Sequence, residues 1–314
     1  MKNKEIINNL KDYADLTMAS YGYFHLANPR YDFNQNDTDK KRLEYFRDII
    51  GNNTAYPTHT DILNMEYKYF KDKKTKEIQN GFFDDDFLGG DFSPTQAKNF
   101  FAKYRLLIHQ PNTDSGFSAT LFQNKQTNEY ILSFRGTKPD DMGDIKADKD
   151  LFLGNIPKEQ YFDMLLFYNQ CIGKIPFYVT SESKPKGQDT SFMCDKLDIK
   201  CSHSVEYKLW EKLYQRSTES KYKPYIVESL LKDSSLPPIP SNFTPPIDST
   251  TKLTITGHSL GGALAQIFAL CFANGLNKDS KSKDSNVSTT ETHQDSIINE
   301  VYTFNAPLES RSVA

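Results

Sequence analysis

The chain has 314 residues, 37% of them hydrophobic and 25% charged, and a formal net charge of −3 at pH 7. That length admits one large α/β domain or two of average size, and the scattered basic residues argue against a nucleic-acid surface. No run approaches the length of a membrane span, and the start MKNKEIINN lacks the apolar core of a secretory signal. The expectation is a chain with no transmembrane segment, cytoplasmic by default or exported by a route that uses no N-terminal signal.

In chain order, residues 5–26 carry Ile6, Ile7, Leu10, Tyr13, Leu16 and Ala19 at three- and four-residue spacings, which predicts an amphipathic packing helix ending near Gly22. Residues 28–92 are polar and aromatic. Their acidic, Gly-rich run Asp84 to Asp91 matches no EF-hand spacing and reads as a solvated loop rather than a calcium site. Ser93-Pro94 opens a helix that leads into a strand over 104–109. Strands over 116–122 and 130–134 then flank the polar turn Asn124 to Asn128 as a hairpin.

Pro157 opens a helix with Tyr161, Met164, Leu165, Phe167, Tyr168 and Cys171, apolar enough to need cover on more than one side. It is core, or it covers a lipid-facing cleft. Residues 174–250 alternate polar loops with one amphipathic helix around Leu209, Trp210 and Leu213 and end Pro-rich, which reads as an insertion or lid without its own core. Residues 277–295 are Ser/Lys/Asp/Thr-rich and read as a second, disordered insertion before a strand at Val301 to Phe304. Cys171, Cys194, Cys201 and Cys271 form no metal pattern. They read as free thiols, with a Cys194–Cys201 loop disulfide as the alternative in an oxidising compartment.

The chemistry centres on Gly257-His258-Ser259-Leu260-Gly261-Gly262, which follows the β-branched run Leu253 to Thr256 and leads into Ala263 to Leu270. This is the pattern of a nucleophile elbow, a strand-to-helix corner that exposes Ser259 and tolerates only small residues such as Gly257 and Gly261 beside it. The Leu260 amide, immediately after the serine, is placed to stabilise an oxyanion at the helix N-terminus. A second donor should leave an earlier strand. Phe134-Arg135-Gly136-Thr137 has that form, although an ordinary glycine turn ends a strand in the same way.

A serine also needs a base oriented by a carboxylate. His258 points away from its neighbour at such a corner, and His25, His59, His109 and His203 precede the serine. His109 in a strand reads as a satisfied core histidine, and His203 lies in the lid-like segment. His293 and Asp295 are the weak downstream candidates, in the polar insertion.

Taken together, Phe134 to Thr137, Asp144-Ile145-Lys146-Ala147-Asp148, Gly257 to Ala265 and Tyr302-Thr303-Phe304-Asn305-Ala306-Pro307 resemble the signature blocks of the class 3, or fungal-type, lipases, in the family's order. Tyr13 to Gly22 is also similar to that family's opening helix. The resemblance implies that the Thr137 amide joins Leu260 in the oxyanion hole, with the Thr137 hydroxyl held by Asp148 or, alternatively, Asp144. It also implies that strands carrying the acid and histidine follow Pro307. The seven residues from Leu308 hold no histidine, so the chain is expected to stop short of the family's last strands.

The expected fold is therefore α/β, an α/β-hydrolase-like domain over 1–314 whose mostly parallel sheet has flanking helices and is incomplete at its C-terminal end. Residues 1–92 form a helical or irregular region, 93–173 the first half of the sheet with the oxyanion loop, 174–250 the lid and 251–314 the elbow with its following strand. The expected function is a serine carboxylester hydrolase for acylglycerol or phospholipid esters, using no metal or organic cofactor and touching a membrane surface transiently through the lid. The alternative is a truncated, impaired hydrolase that binds a lipid or a partner. Losing the base costs about 10⁶-fold in turnover, so this chain alone is expected to be weakly active or inactive.

Overall fold

The computed structural model describes residues 2–69, 92–136, 157–185, 192–197, 199–200, 202–239, 241–272 and 296–306. Among these, six strands form one sheet: β1 Tyr104–Gln110, β2 Ala119–Asn124, β3 Tyr130–Phe134, β4 Tyr225–Ile226, β5 Leu253–His258 and β6 Ile298–Phe304, in the order β4-β1-β2-β3-β5-β6. The helices are α1 Lys2–Ala19, α2 Asp37–Ile50, α3 His59–Tyr69, α4 Pro94–Lys103, α5 Lys158–Cys171, α6 Phe192–Lys196, α7 His203–Thr218 and α8 Leu260–Phe272.

The sheet is mixed rather than mostly parallel. β1, β2 and β4 pair antiparallel, as do β2 and β3, while β3, β5 and β6 run parallel. The antiparallel pairing of β1, β2 and β3 follows from short links, since a tight turn closed by Asn124 N–H on the Glu129 carbonyl at 2.8 Å can only reverse the chain, whereas β4 reaches β1 after a long excursion through α5 and α7. The parallel half follows from long ones, β3 to β5 through α5 and α7, and β5 to β6 through α8. β2 starts at Ala119, three residues later than the sequence pattern suggests. Gly116, at φ 82°, takes a left-handed turn that Thr113 N–H closes on the Phe117 carbonyl.

The strands alternate between two different faces. Leu121, Leu132, Phe134, Leu253 and Ile255 pack with Met164 and Phe167 of α5 and Leu264 and Phe268 of α8 in the larger core. The opposite face meets α1 and α4 through Leu16, Phe100, Phe122 and Ile131, and it also buries a polar row. In that row Ser133 Oγ donates to the Leu16 carbonyl and Thr256 pairs with Thr17. Only the second half of α1 is a packing helix, because Ile6, Ile7 and Leu10 are exposed.

α5 is core. Met164 and Phe167 face the sheet, while Leu165 and Leu166 face a smaller cluster with Met193, Leu209 and Leu213 from α6 and α7. Residues 174–250 are tied into the fold more deeply than a lid-like insertion requires. β4 pairs with β1 through Ile108↔Ile226, and Phe243 and Ile247 join the main core.

Among its described residues, the stretch 28–92 also contains α2 and α3, which hydrophobic periodicity did not reveal. α2 is capped by Asn36, whose side chain accepts from the Thr38 and Asp39 amides, and it ends at Gly51 with φ 68°. Asp39 on α2 is buried among His25, Tyr31, Asn36 and Arg42. Burial alone would raise its pKa, but His25 and Arg42 together hold the carboxyl well below the usual carboxylate range. Cys194 is disulfide-bonded and Cys171 and Cys271 are free. Cys201 lies outside the described residues.

Candidate active site at a strand-to-helix corner

The C-terminal ends of β3, β5 and β6 lie side by side, with Phe134 opposite Gly257 and Gly257 opposite Thr303. Carboxyl ends of parallel strands are where open α/β sheets place their ligands. β5 delivers Ser259 one residue beyond its end, and α8 begins at Leu260.

Ser259 has φ 53°, a left-handed backbone that a non-glycine residue adopts at a cost of about 1–3 kcal/mol. Three bonds hold it there. Its N–H donates to the Phe304 carbonyl at 2.9 Å, and its own carbonyl accepts the Gly262 and Ala263 amides at 2.9 and 3.2 Å. The corner is thus fixed to β6 on one side and to the first turn of α8 on the other.

The flanking glycines are steric requirements. A Cβ on Gly257 would strike the Gly261 carbonyl and stand 2.8 Å from the Gly262 nitrogen. One on Gly261 would strike the Phe134 carbonyl and stand 2.7 Å from the Arg135 carbonyl carbon. The α8 terminus therefore seats directly against the end of β3. Leu260 is buried, and as the first residue of the helix its N–H has no intrahelical acceptor. The helix dipole adds partial positive charge at the same point.

The end of β3 is itself anchored. Arg135 N–H donates to the Ser118 carbonyl at 3.0 Å, and its guanidinium donates to the Asn112 side chain. Gly136 lies so close that a Cβ there would strike the Tyr21 hydroxyl and stand 2.5 Å from the His258 carbonyl oxygen. Tyr21, just past α1, also shares a 3.2 Å hydrogen bond with His258 Nδ1. Desolvation pushes the His258 imidazole below its ordinary value. Spacing alone could not place Tyr21 here; its sequence signals are its location after an amphipathic helix and its place in the Tyr13 to Gly22 stretch that resembles a class 3 lipase opening helix.

The structure thus brings together Ser259, Leu260, Gly257 and Gly261 with the end of β3. Thr137, Asp144, Asp148, His293 and Asp295 lie outside the described residues, as does the acidic run Asp84 to Asp91. The other described histidines are engaged away from the serine: His25 with Asp39 at 3.2 Å, His59 with Tyr225 at 2.9 Å and His109 with Thr120 at 2.9 Å, while His203 opens α7. Among the described residues no group of three or more His, Cys, Asp and Glu side chains is placed to share a metal ion. Among them, too, no helix is long and apolar enough to cross a membrane.

The family Lipase (class 3) matches residues 195–308. That span includes α7, the elbow with α8, and β6; the β3 end that meets the elbow precedes it. No curated protein and no solved structure matches the chain.

Proposed function

We propose that this chain, whose residues 195–308 match the family Lipase (class 3), is a serine carboxylester hydrolase that works through an acyl-enzyme on Ser259. The fold is that of an α/β-hydrolase and the family's substrates are lipid esters. The observation that carries the finer reading is the left-handed backbone of Ser259 at the β5–α8 corner, a strained pose held by both neighbouring elements.

In this reading Ser259 Oγ attacks the ester carbonyl carbon while a base removes its proton. The carbonyl oxygen becomes a tetrahedral oxyanion that accepts from the Leu260 N–H and from the Thr137 N–H just beyond Gly136. The base returns the proton to the leaving alcohol as the C–O bond breaks, and a water then deacylates Ser259 by the same steps. Asp148, or alternatively Asp144, holds the Thr137 hydroxyl. One α/β-hydrolase unit spans the chain.

The test compares wild type with Ser259→Ala on a short soluble ester, a triacylglycerol emulsion and a phospholipid, with product analysis. Turnover that disappears in the variant supports the reading, and turnover equal in both contradicts it. A second reading is favoured by one observation, that no described histidine pairs with Ser259: the cleft binds an acyl chain without cleaving it. Fatty-acid binding with no turnover on any ester would establish that alternative.

A further inference from the structure

Residues 111–118, the loop between β1 and β2, are held from two sides. Toward the candidate site, the loop supplies the acceptors for Arg135: the Ser118 carbonyl for its amide and the Asn112 side chain for its guanidinium. Away from the site, Thr113 Oγ1 and Ser115 Oγ donate to Asp163 Oδ2 on α5 at 2.7 and 2.5 Å. Asp163 is fully buried, and its other oxygen, Oδ1, meets Arg216 at 2.5 Å and Lys212 at 3.4 Å, both on α7.

The two carboxylate oxygens therefore do separate things. Oδ1 takes the cations of α7, which lets a buried charge persist. Oδ2 takes two hydroxyls of the loop and fixes its course. Three short steps lead from there to the reacting centre: the loop holds Arg135, Arg135 precedes Gly136, and Gly136 lies against the His258 carbonyl immediately before Ser259.

We propose that Asp163, charge-balanced by Arg216, is a positioning residue that sets where the end of β3 meets the elbow. Its catalytic consequence rests on Ser259 being the nucleophile; its structural consequence does not. Because a displacement of about 1 Å in a catalytic array costs up to about 10²-fold in rate, loosening this link acts on turnover more than on binding.

The division between Oδ1 and Oδ2 supplies the variant. Thr113→Val with Ser115→Ala removes both bonds to the loop and leaves the Asp163–Arg216 pair in place; Ser115→Ala alone is the milder form, and Thr113→Ser keeps a hydroxyl. The full chain is compared by thermal unfolding, by hydrogen exchange of peptides over 130–136 and over α8, and by kcat and KM on a short soluble ester. The expected result for the double variant is exchange over 130–136 about tenfold faster with α8 unchanged. With it, kcat falls by about 10- to 10²-fold at nearly constant KM, Tm drops by the few degrees that an unsatisfied Asp163 Oδ2 costs while the protein stays folded at the assay temperature, and Thr113→Ser behaves as wild type. Unchanged exchange over 130–136 overturns the proposal, as does a loss of kcat that merely follows a loss of folded protein. Faster exchange with full kcat removes its catalytic half. If wild type cleaves no ester, the reading of Ser259 fails, while the exchange comparison still decides whether Asp163 holds the end of β3.

Discussion

Thr17 Oγ1 of α1 and Thr256 Oγ1 of β5 lie 2.6 Å apart in the buried seam between helix and sheet. Thr17 also donates to the Tyr13 carbonyl at 2.7 Å, and the Thr256 hydroxyl stands 3.4 Å from the same carbonyl. The pair ties the first helix of the chain to the strand that delivers Ser259. Thr17→Val leaves the Thr256 hydroxyl with only the long 3.4 Å contact to the Tyr13 carbonyl, Thr256→Val leaves Thr17 still donating to that carbonyl, and removing both restores an apolar contact. Thr17→Val is expected to cost about 1–3 kcal/mol and Thr256→Val about 0.5–1.5 kcal/mol, and the double variant less than their sum. Denaturant unfolding across the four proteins checks this; strict additivity would show that the two hydroxyls do not act as a pair.

Gly257→Ala and Gly261→Ala are expected to damage the corner far more than Gly51→Ala damages the end of α2. At Gly257 and Gly261 a Cβ collides with backbone atoms that cannot rotate away, whereas the space around Gly51 is open and only its φ of 68° opposes a side chain. The first two variants should lose several degrees in Tm and at least about 10²-fold in ester turnover. Gly51→Ala should lose about 1–2 kcal/mol of stability and keep its turnover. Equal behaviour of the three would contradict the geometry of the corner.

Stability should decline from neutral pH into acid. Burial pushes the His59 imidazole down to about 4, and the fully buried His109 ring moves in the same direction. The unfolded chain protonates these rings near their ordinary value of about 6.5, so it binds more protons than the folded chain in the interval below. Their contribution is therefore complete above about pH 6.5 and is lost as pH falls, for His59 levelling off near pH 4. Asp39 has the carboxylate form of the same sign. Its folded pKa is depressed, so its contribution is present above about pH 4 and disappears as pH falls through the folded value. The expected result is a lower Tm at pH 5 than at pH 7.5, with a shallower slope in His59→Gln; a Tm independent of pH over that range would contradict it.

The elbow was legible because its constraints are local: the collisions that exclude a side chain at Gly257 and Gly261 arise within a few residues and with one neighbouring strand. The strands beside it were legible for the same reason, since alternation and β-branching are written along each one. α2 was not, because its buried face is Asp39, Leu43 and Phe46 on an otherwise charged helix; its signals were the cap at Asn36 and the glycine at 51. β4 was not, because two residues carry no period and its place is set by β1. The same holds for Tyr21 beside His258 and for Asp163 beneath the β1–β2 loop. Each meets partners distant in sequence, and no spacing announces such a meeting.

The central claim is that Ser259 is an activated nucleophile. The direct measurement is reaction of the full chain with a fluorophosphonate probe, which phosphonylates an activated serine and expels fluoride, followed by digestion and mass spectrometry of the labelled peptide. The account expects a single adduct on Ser259, absent from Ser259→Ala and from protein unfolded before labelling. A folded wild-type protein that takes up no probe, or takes it up at another serine with Ser259 unmodified, would contradict it.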